Sequence, residues 1–175
     1  IFKQLHSFVN RGGTAVYLEI FNQPGRSYWS TKLPPNGVLP FKIEKKHAFG
    51  LWVGVSHIVK SHPIFNGLET DCMMTDLYEN VWTPFTMGNI EGEHIVTSIT
   101  HGFYGGKDHE KQCYLGPEPF FHGMDMGIVG YGEGKYILSA LRITPFLNKD
   151  PVADKIFVNI SVSYTHLTLP TSFLV

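Results

Sequence analysis

Four sets of residues in this chain are of types that could do chemistry. Glu19 closes the apolar run TAVYLEI (14–20), and open α/β sheets place their ligands at such strand ends, so its carboxylate is the best-placed acid or base. Glycoside cleavage, however, needs two carboxyl groups facing each other across the bond. A thiol nucleophile can be exposed by a strained strand-to-helix elbow with small residues on both sides of it. Cys72 lies in Thr-Asp-Cys-Met-Met and Cys113 in Lys-Gln-Cys-Tyr-Leu, with no flanking glycine. His101, His109 and His122, with Asp108 and Asp125, could ligate a metal, but their spacings of eight and thirteen residues match no metal motif. No metal and no cofactor are therefore expected. Trp29, Trp52, Tyr78, Trp82 and Tyr104 could stack on sugar rings or dock a loop against a neighbouring domain.

The stretch SHPIFNGLETDCMMTDLYENVW (61–82) concentrates such side chains, including His62, Asp71, Cys72, Asp76 and Glu79. Its punctuation reads as structural. Pro63 forces an extended residue before it, Asn66-Gly67 supplies a turn, and Ile64, Phe65 and Leu68 are positioned to pin that turn to a core. Met73 and Met74 read as gap-fillers. The segment is expected to be a strut, with Tyr78 and Trp82 as docking residues.

The elements that would position these groups follow from hydrophobic period. Ile1, Leu5, Phe8 and Val9 sit at helical spacing before Gly12-Gly13, so Lys3–Asn10 is expected as a helix with a glycine stop. Thr14–Ile20 then reads as a buried strand, making half of a βαβ unit whose first strand lies upstream of Ile1. The prolines of 22–41 mark a loop, and FGLWVGVSHIV (49–59) and HIVTSIT (94–100) read as strands, the second followed by a glycine-rich aromatic loop. Met126–Tyr131, a Glu133-Gly134 turn and Lys135–Ile143 make a hairpin whose second arm is apolar on both faces. In KDPVADKIFVNI (149–160), Asp150 is an N-cap and Pro151 the first helical residue, with Val152, Ile156, Phe157 and Ile160 on one face. The expected fold is a three-layer α/β domain around a mostly parallel sheet, flavodoxin-like or amidotransferase-like, truncated at its N-terminus and carrying an antiparallel C-terminal hairpin.

Bulk properties narrow the classes. A chain of 175 residues is one domain's worth and buries roughly 70% of its unfolded surface. With 14 basic and 15 acidic residues, nothing steers it toward nucleic acid or an anionic membrane surface. No run approaches the roughly 18 apolar residues of a membrane span. Two cysteines outside any C-x-x-C pair define neither a disulfide framework nor a zinc site, and leave the compartment open.

The pairing of GYGEGKYILSALRI (130–143) with NKDPVADKIFVNI (148–160), and the upstream HPIFNGL (62–68), resembles the amidotransferase-like region near the C-terminus of large bacterial glycoside hydrolases of family 2. FVNRGGTAVYLEI (8–20) is similar to the opening of class I amidotransferase-like domains, including the trimerisation domain of some β-galactosidases. The resemblance implies a non-catalytic accessory domain of a β-galactosidase- or β-glucuronidase-like hydrolase, serving interdomain packing or oligomerisation. Its partners would be the other domains of that hydrolase, a second copy of the chain, or carbohydrate, in a periplasmic or extracellular setting. In such hydrolases the two catalytic glutamates sit in a separate barrel, the acid/base within an Asn-Glu pair, and this chain has no Asn-Glu. The alternative the resemblance leaves open is a piece of a free-standing class I amidotransferase-like or sugar-utilisation enzyme.

VSYTHLTLPT (162–171) resembles one reading frame of the synthetic adapter used in transposon-based sequencing libraries. Residues 162–175 are therefore expected to be adapter-derived, His166 drops out of site arguments, and 1–161 is the domain. The helix at Pro151 is then expected to end within about a turn of Ile160, with Leu167–Val175 loosely packed.

Overall fold

The structure, a computed structural model, describes residues 1–21, 33–47, 53–102 and 121–165. In chain order they form α1 (Phe2–Asn10), β1 (Thr14–Tyr17), β2 (Glu44–His47), β3 (Val53–Val59), β4 (Cys72–Met73), β5 (Phe85–Gly88), β6 (Glu93–Gly102), β7 (Phe121–Tyr131), β8 (Gly134–Ser139) and α2 (Pro151–Thr165).

The helix and glycine pair at the start are where the sequence puts them, and the strand after them is shorter than expected, ending at Tyr17 rather than Ile20. Gly12 takes φ 101°, and the amides of Gly12 and Gly13 donate to the carbonyls of Val9 and Phe8, the double bond that ends a helix on a left-handed residue. The phenyl ring of Phe8 lies over Gly13, where a Cβ would sit 2.3 Å from it.

The sheet is where expectation fails. Eight strands join one sheet in the order β1-β8-β7-β6-β3-β4, with β5 pairing β7 and β2 pairing β5. Only β1 with β8 runs parallel among these strands; every other ladder is antiparallel. The mostly parallel, flavodoxin-like or amidotransferase-like three-layer domain is thus overturned. The misleading signal was the doubly apolar β8, because a continuous apolar run reports two covered faces and not the direction of its neighbours. Here an antiparallel strand is covered twice. Ile137 faces a core built from Val59, Ile64, Phe65, Tyr78, Val81 and the buried stripe of α2. Tyr136 and Leu138 face a second core with Val9, Phe21, Leu39, Phe85 and Met87.

Smaller differences have local causes. The β7–β8 hairpin turns on Gly132-Glu133, one residue earlier than expected, because Tyr131 pairs with Gly134. Gly132 sits at φ 61° against the backbone and side chain of Asn10, so a Cβ would meet Asn10 Oδ1 at 2.3 Å. The Asp150 cap stands as expected, its Oδ1 accepting from the amides of Val152 at 2.7 Å and Ala153 at 3.4 Å. Val152, Ala153, Ile156 and Ile160 are buried, but Phe157 is 39% exposed and leaves the stripe. α2 ends at Thr165, five residues or about 1.4 turns beyond Ile160, rather than within one turn. Tyr164, four residues after Ile160, continues the stripe and packs against the first core, and nothing before Pro170 forbids helical backbone. Leu167–Val175 and His166 lie outside the described residues.

The strut reading of 61–82 corresponds to a well-tied segment. His62 Nδ1 accepts from the Ile64 amide at 3.2 Å and caps a 3-10 turn over Pro63–Phe65. Ile64 and Phe65 are buried, Gly67 takes φ 82°, and the Asn159 amide group on α2 donates to the carbonyls of Ile64 and Asn66, both at 2.9 Å.

Candidate functional site

The polar side chains most firmly brought together are His57 on β3, Ser98 on β6 and Asp125 on β7. All three are buried. Ser98 stands opposite His57 in the β3–β6 ladder, so these two meet by register alone. Asp125 arrives by a different device. Along the β6–β7 ladder His94 pairs with Gly127, Val96 with Met126 and Thr97 with Met124, which leaves Ile95 an extra residue on β6 and Asp125 an extra residue on β7. A bulge of this kind re-aims a side chain, and here the carboxylate reaches both neighbours.

His57 Nδ1 lies 2.8 Å from Asp125 Oδ2. Ser98 Oγ donates to Asp125, 2.6 Å from each carboxylate oxygen, and it also lies 3.0 Å from His57 Nδ1. Since the hydroxyl hydrogen is spent on the carboxylate, Nδ1 carries the proton and shares it between Asp125 and the serine oxygen. A serine nucleophile would need the opposite wiring, with its hydroxyl on Nε2 and the carboxylate on Nδ1. Both partners here occupy one nitrogen, and the imidazole cannot take the serine proton through it. The cluster is a closed network that ties three strands together. The Trp82 ring covers it, its centroid 5.6 Å from that of His57.

Beside the cluster, Thr86 of β5 is fully buried, and its hydroxyl has no hydrogen-bond partner among the described residues. Gly123 is required opposite it, since a Cβ there would stand 2.2 Å from Thr86 Oγ1.

On the opposite face of β3, β6 and β7 lies an open concavity of about 850 Å³, floored by Ile58, Thr97 and Ile99 and rimmed by Lys60, His62, Glu93, His94 and His122. The imidazoles of His94 and His122 have centroids 6.1 Å apart. Burial holds the His94 pKa below the usual histidine value, with Lys60 and His122 acting the same way against the smaller opposing effects of the Ile90 carbonyl and Asp125. Burial likewise lowers His62, partly opposed by Glu93, whose carboxylate is 3.9 Å away.

The residues singled out from sequence fall in several places. Glu19 follows β1, half-buried, its pKa raised by burial and partly restored by the Thr144 hydroxyl and Arg142; these tie it down as a strand-end carboxylate. Tyr78 is 1% exposed, its hydroxyl donates to the Glu69 carbonyl, and burial pushes its pKa up to about 12. Its ring packs on Phe65, so it presents no stacking face. Trp82 is half-buried over His57. Trp29, Trp52, Tyr104, Asp108, His109 and Cys113 lie outside the described residues, as does the side chain of His101. Asp125 and His122, grouped in sequence as metal-ligand candidates, belong instead to opposite faces of β7. Among the described residues no three histidine, cysteine or acidic side chains are placed to hold a metal. His57 and Ser98 were not singled out; no motif links them, and only the pairing of β3 with β6 and the bulge in β7 joins them to Asp125.

Comparison of the chain with protein families, curated proteins and solved structures gave no match.

Proposed function

We propose that this chain is a non-catalytic accessory domain of a carbohydrate-active glycoside hydrolase, serving to pack other domains or a second copy. The observation that carries the non-catalytic half is the wiring at His57. The one serine, histidine and carboxylate group assembled among the described residues has Ser98 and Asp125 on the same ring nitrogen, and it is sealed in the sheet. Glu19 has Thr144 and Arg142 as neighbours rather than a facing carboxylate, whereas glycoside cleavage requires a pair.

A packing role is supported by apolar side chains left outside the two cores. Phe157 and Val158 stand 39% and 51% exposed on the outer side of α2, and Phe2 and Phe8 are 45% and 38% exposed on α1. Helix faces of this composition are suited to burial against another domain. The assignment to a hydrolase rests on the sequence resemblance of 130–143 and 148–160. The antiparallel sheet is not the strand-to-helix scaffold that a nucleophile elbow uses, and it removes the amidotransferase-like fold from both readings, so the sequence resemblance alone supports the hydrolase.

Sequencing the complete gene tests the reading directly. A barrel with paired glutamates encoded in the same frame is the expected result, and a short upstream stretch carrying a G-x-C-x-G elbow would overturn it. Assayed alone on aryl glycosides, the chain should give no turnover. Hydrolysis abolished by Glu19→Gln would refute the non-catalytic assignment.

A further inference from the structure

We infer that the concavity on the outer face of β3, β6 and β7 binds the oxyanion group of a small molecule, a carboxylate or a phosphate, between Lys60, His94 and His122. The inference is independent of the accessory-domain reading, because it concerns a different face and needs no catalysis.

Three nitrogen groups able to carry positive charge converge there from three strands: Lys60 just past the end of β3, His94 on β6 and His122 on β7. The two imidazole centroids lie 6.1 Å apart, and Lys60 lines the same concavity and acts electrostatically on His94. Like-charged groups gathered at one site disfavour one another's charged form, and an anion among them relieves that cost. The proton affinity of His94 is depressed chiefly by burial, and Lys60 and His122 add to the depression. Ile58 and Ile99 give the site an apolar floor, the usual setting in which a few polar groups orient a ligand. At about 850 Å³ the space exceeds what a bare inorganic ion would fill, which favours an oxyanion carried on a larger body.

The remaining charges around His94 set the pH behaviour. Asp125 acts on it from β7. Glu93, its neighbour on β6, is 61% exposed and lies beside His62 and within electrostatic reach of Tyr164 on α2. Since His94 is mostly neutral at pH 7, anion binding must tighten as pH falls and the imidazole protonates. A transition metal would do the reverse, because it requires the unprotonated imidazole.

The experiment is an imidazole NMR titration of the whole 175-residue chain with inorganic phosphate, with glucuronate, and with glucose as the neutral control. Saturable shifts at His94 and His122 with at least one anion and none with glucose are expected, with higher histidine pKa values in the bound state and tighter binding at pH 5.5 than at 7.5. Response to phosphate alone identifies a phosphate ligand, and response to glucuronate alone a carboxylate. Lys60→Met and His122→Gln, both at exposed positions, should each weaken binding roughly tenfold while leaving the thermal midpoint unchanged. The proposal is overturned if neither anion saturates between pH 5 and 8, if both variants bind as the parent does, or if Ni²⁺ binds more tightly with rising pH and the anions do not bind.

Discussion

Ser98 and Asp125 are joined by a hydroxyl that sits 2.6 Å from both oxygens of one buried carboxylate, so the serine donates to the aspartate and not to the histidine beside it. Removing the carboxylate strands two polar groups at once. Asp125→Ala is expected to destabilise the fold by roughly 2–6 kcal/mol, about 1–3 for each of the two buried donors it leaves without an acceptor. Ser98→Ala should cost about 1–3 kcal/mol. Urea midpoints of the two single variants and the double variant check this, and a double variant as unstable as the sum of the singles would show that the residues do not act as one network.

Thr86 gives the opposite sign. Its buried hydroxyl lacks a partner among the described residues, so Thr86→Val should leave stability unchanged or raise it by on the order of 1 kcal/mol. Gly123→Ala should be strongly destabilising, since the new methyl group would collide with Thr86. A shift of the thermal midpoint in the same direction for both variants would contradict the close approach of β5 to β7.

At the start of α2, Asp150 holds two amides with one oxygen and takes the side-chain amide of Asn80 at 2.8 Å with the other. Asp150→Ala is expected to cost about 1–2 kcal/mol. Asp150→Asn should lose less, since it keeps an accepting oxygen, and equal losses measured by chemical denaturation would show that capping is not its role.

His94 predicts a pH slope. Its proton affinity is lower in the folded protein, chiefly through burial, so the unfolded chain takes up a proton first as pH falls. The stabilising contribution is full above the ordinary histidine value near 6.5 and is lost as pH drops through it toward the depressed folded value. Stability curves at pH 7.5 and 5.5 should therefore differ less in His94→Gln than in the parent. An unchanged difference would remove His94 from the account.

Much of this fold could be read locally and little of it at long range. The Asp150-Pro151 start of α2, the Asn66-Gly67 turn and the Gly12-Gly13 helix stop all depend on neighbours within a few residues, and each stands where the chain spells it. β2, with the sequence EKKH, carries no apolar alternation, and β4 is two residues long, so neither left a periodic trace. Strand direction was illegible because the apolar residues of β8 record coverage and not pairing. The buried cluster was hidden for a related reason: His57 and Asp125 are 68 positions apart, and their meeting depends on a register and a bulge that no single stretch encodes.

That bulge has a counterpart, Ile95 on the facing strand, and beyond the two extra residues the ladder resumes the phase it had before them. The pair therefore behaves as a matched insertion. Excising both residues would return β6 and β7 to an uninterrupted ladder with every flanking pair intact, at the expense of the carboxylate under Trp82 and of the Ile95 side chain in the first core. Excising one alone would turn half a strand inside out, sending core side chains to solvent. Length variation at these two positions should be inherited together or not at all.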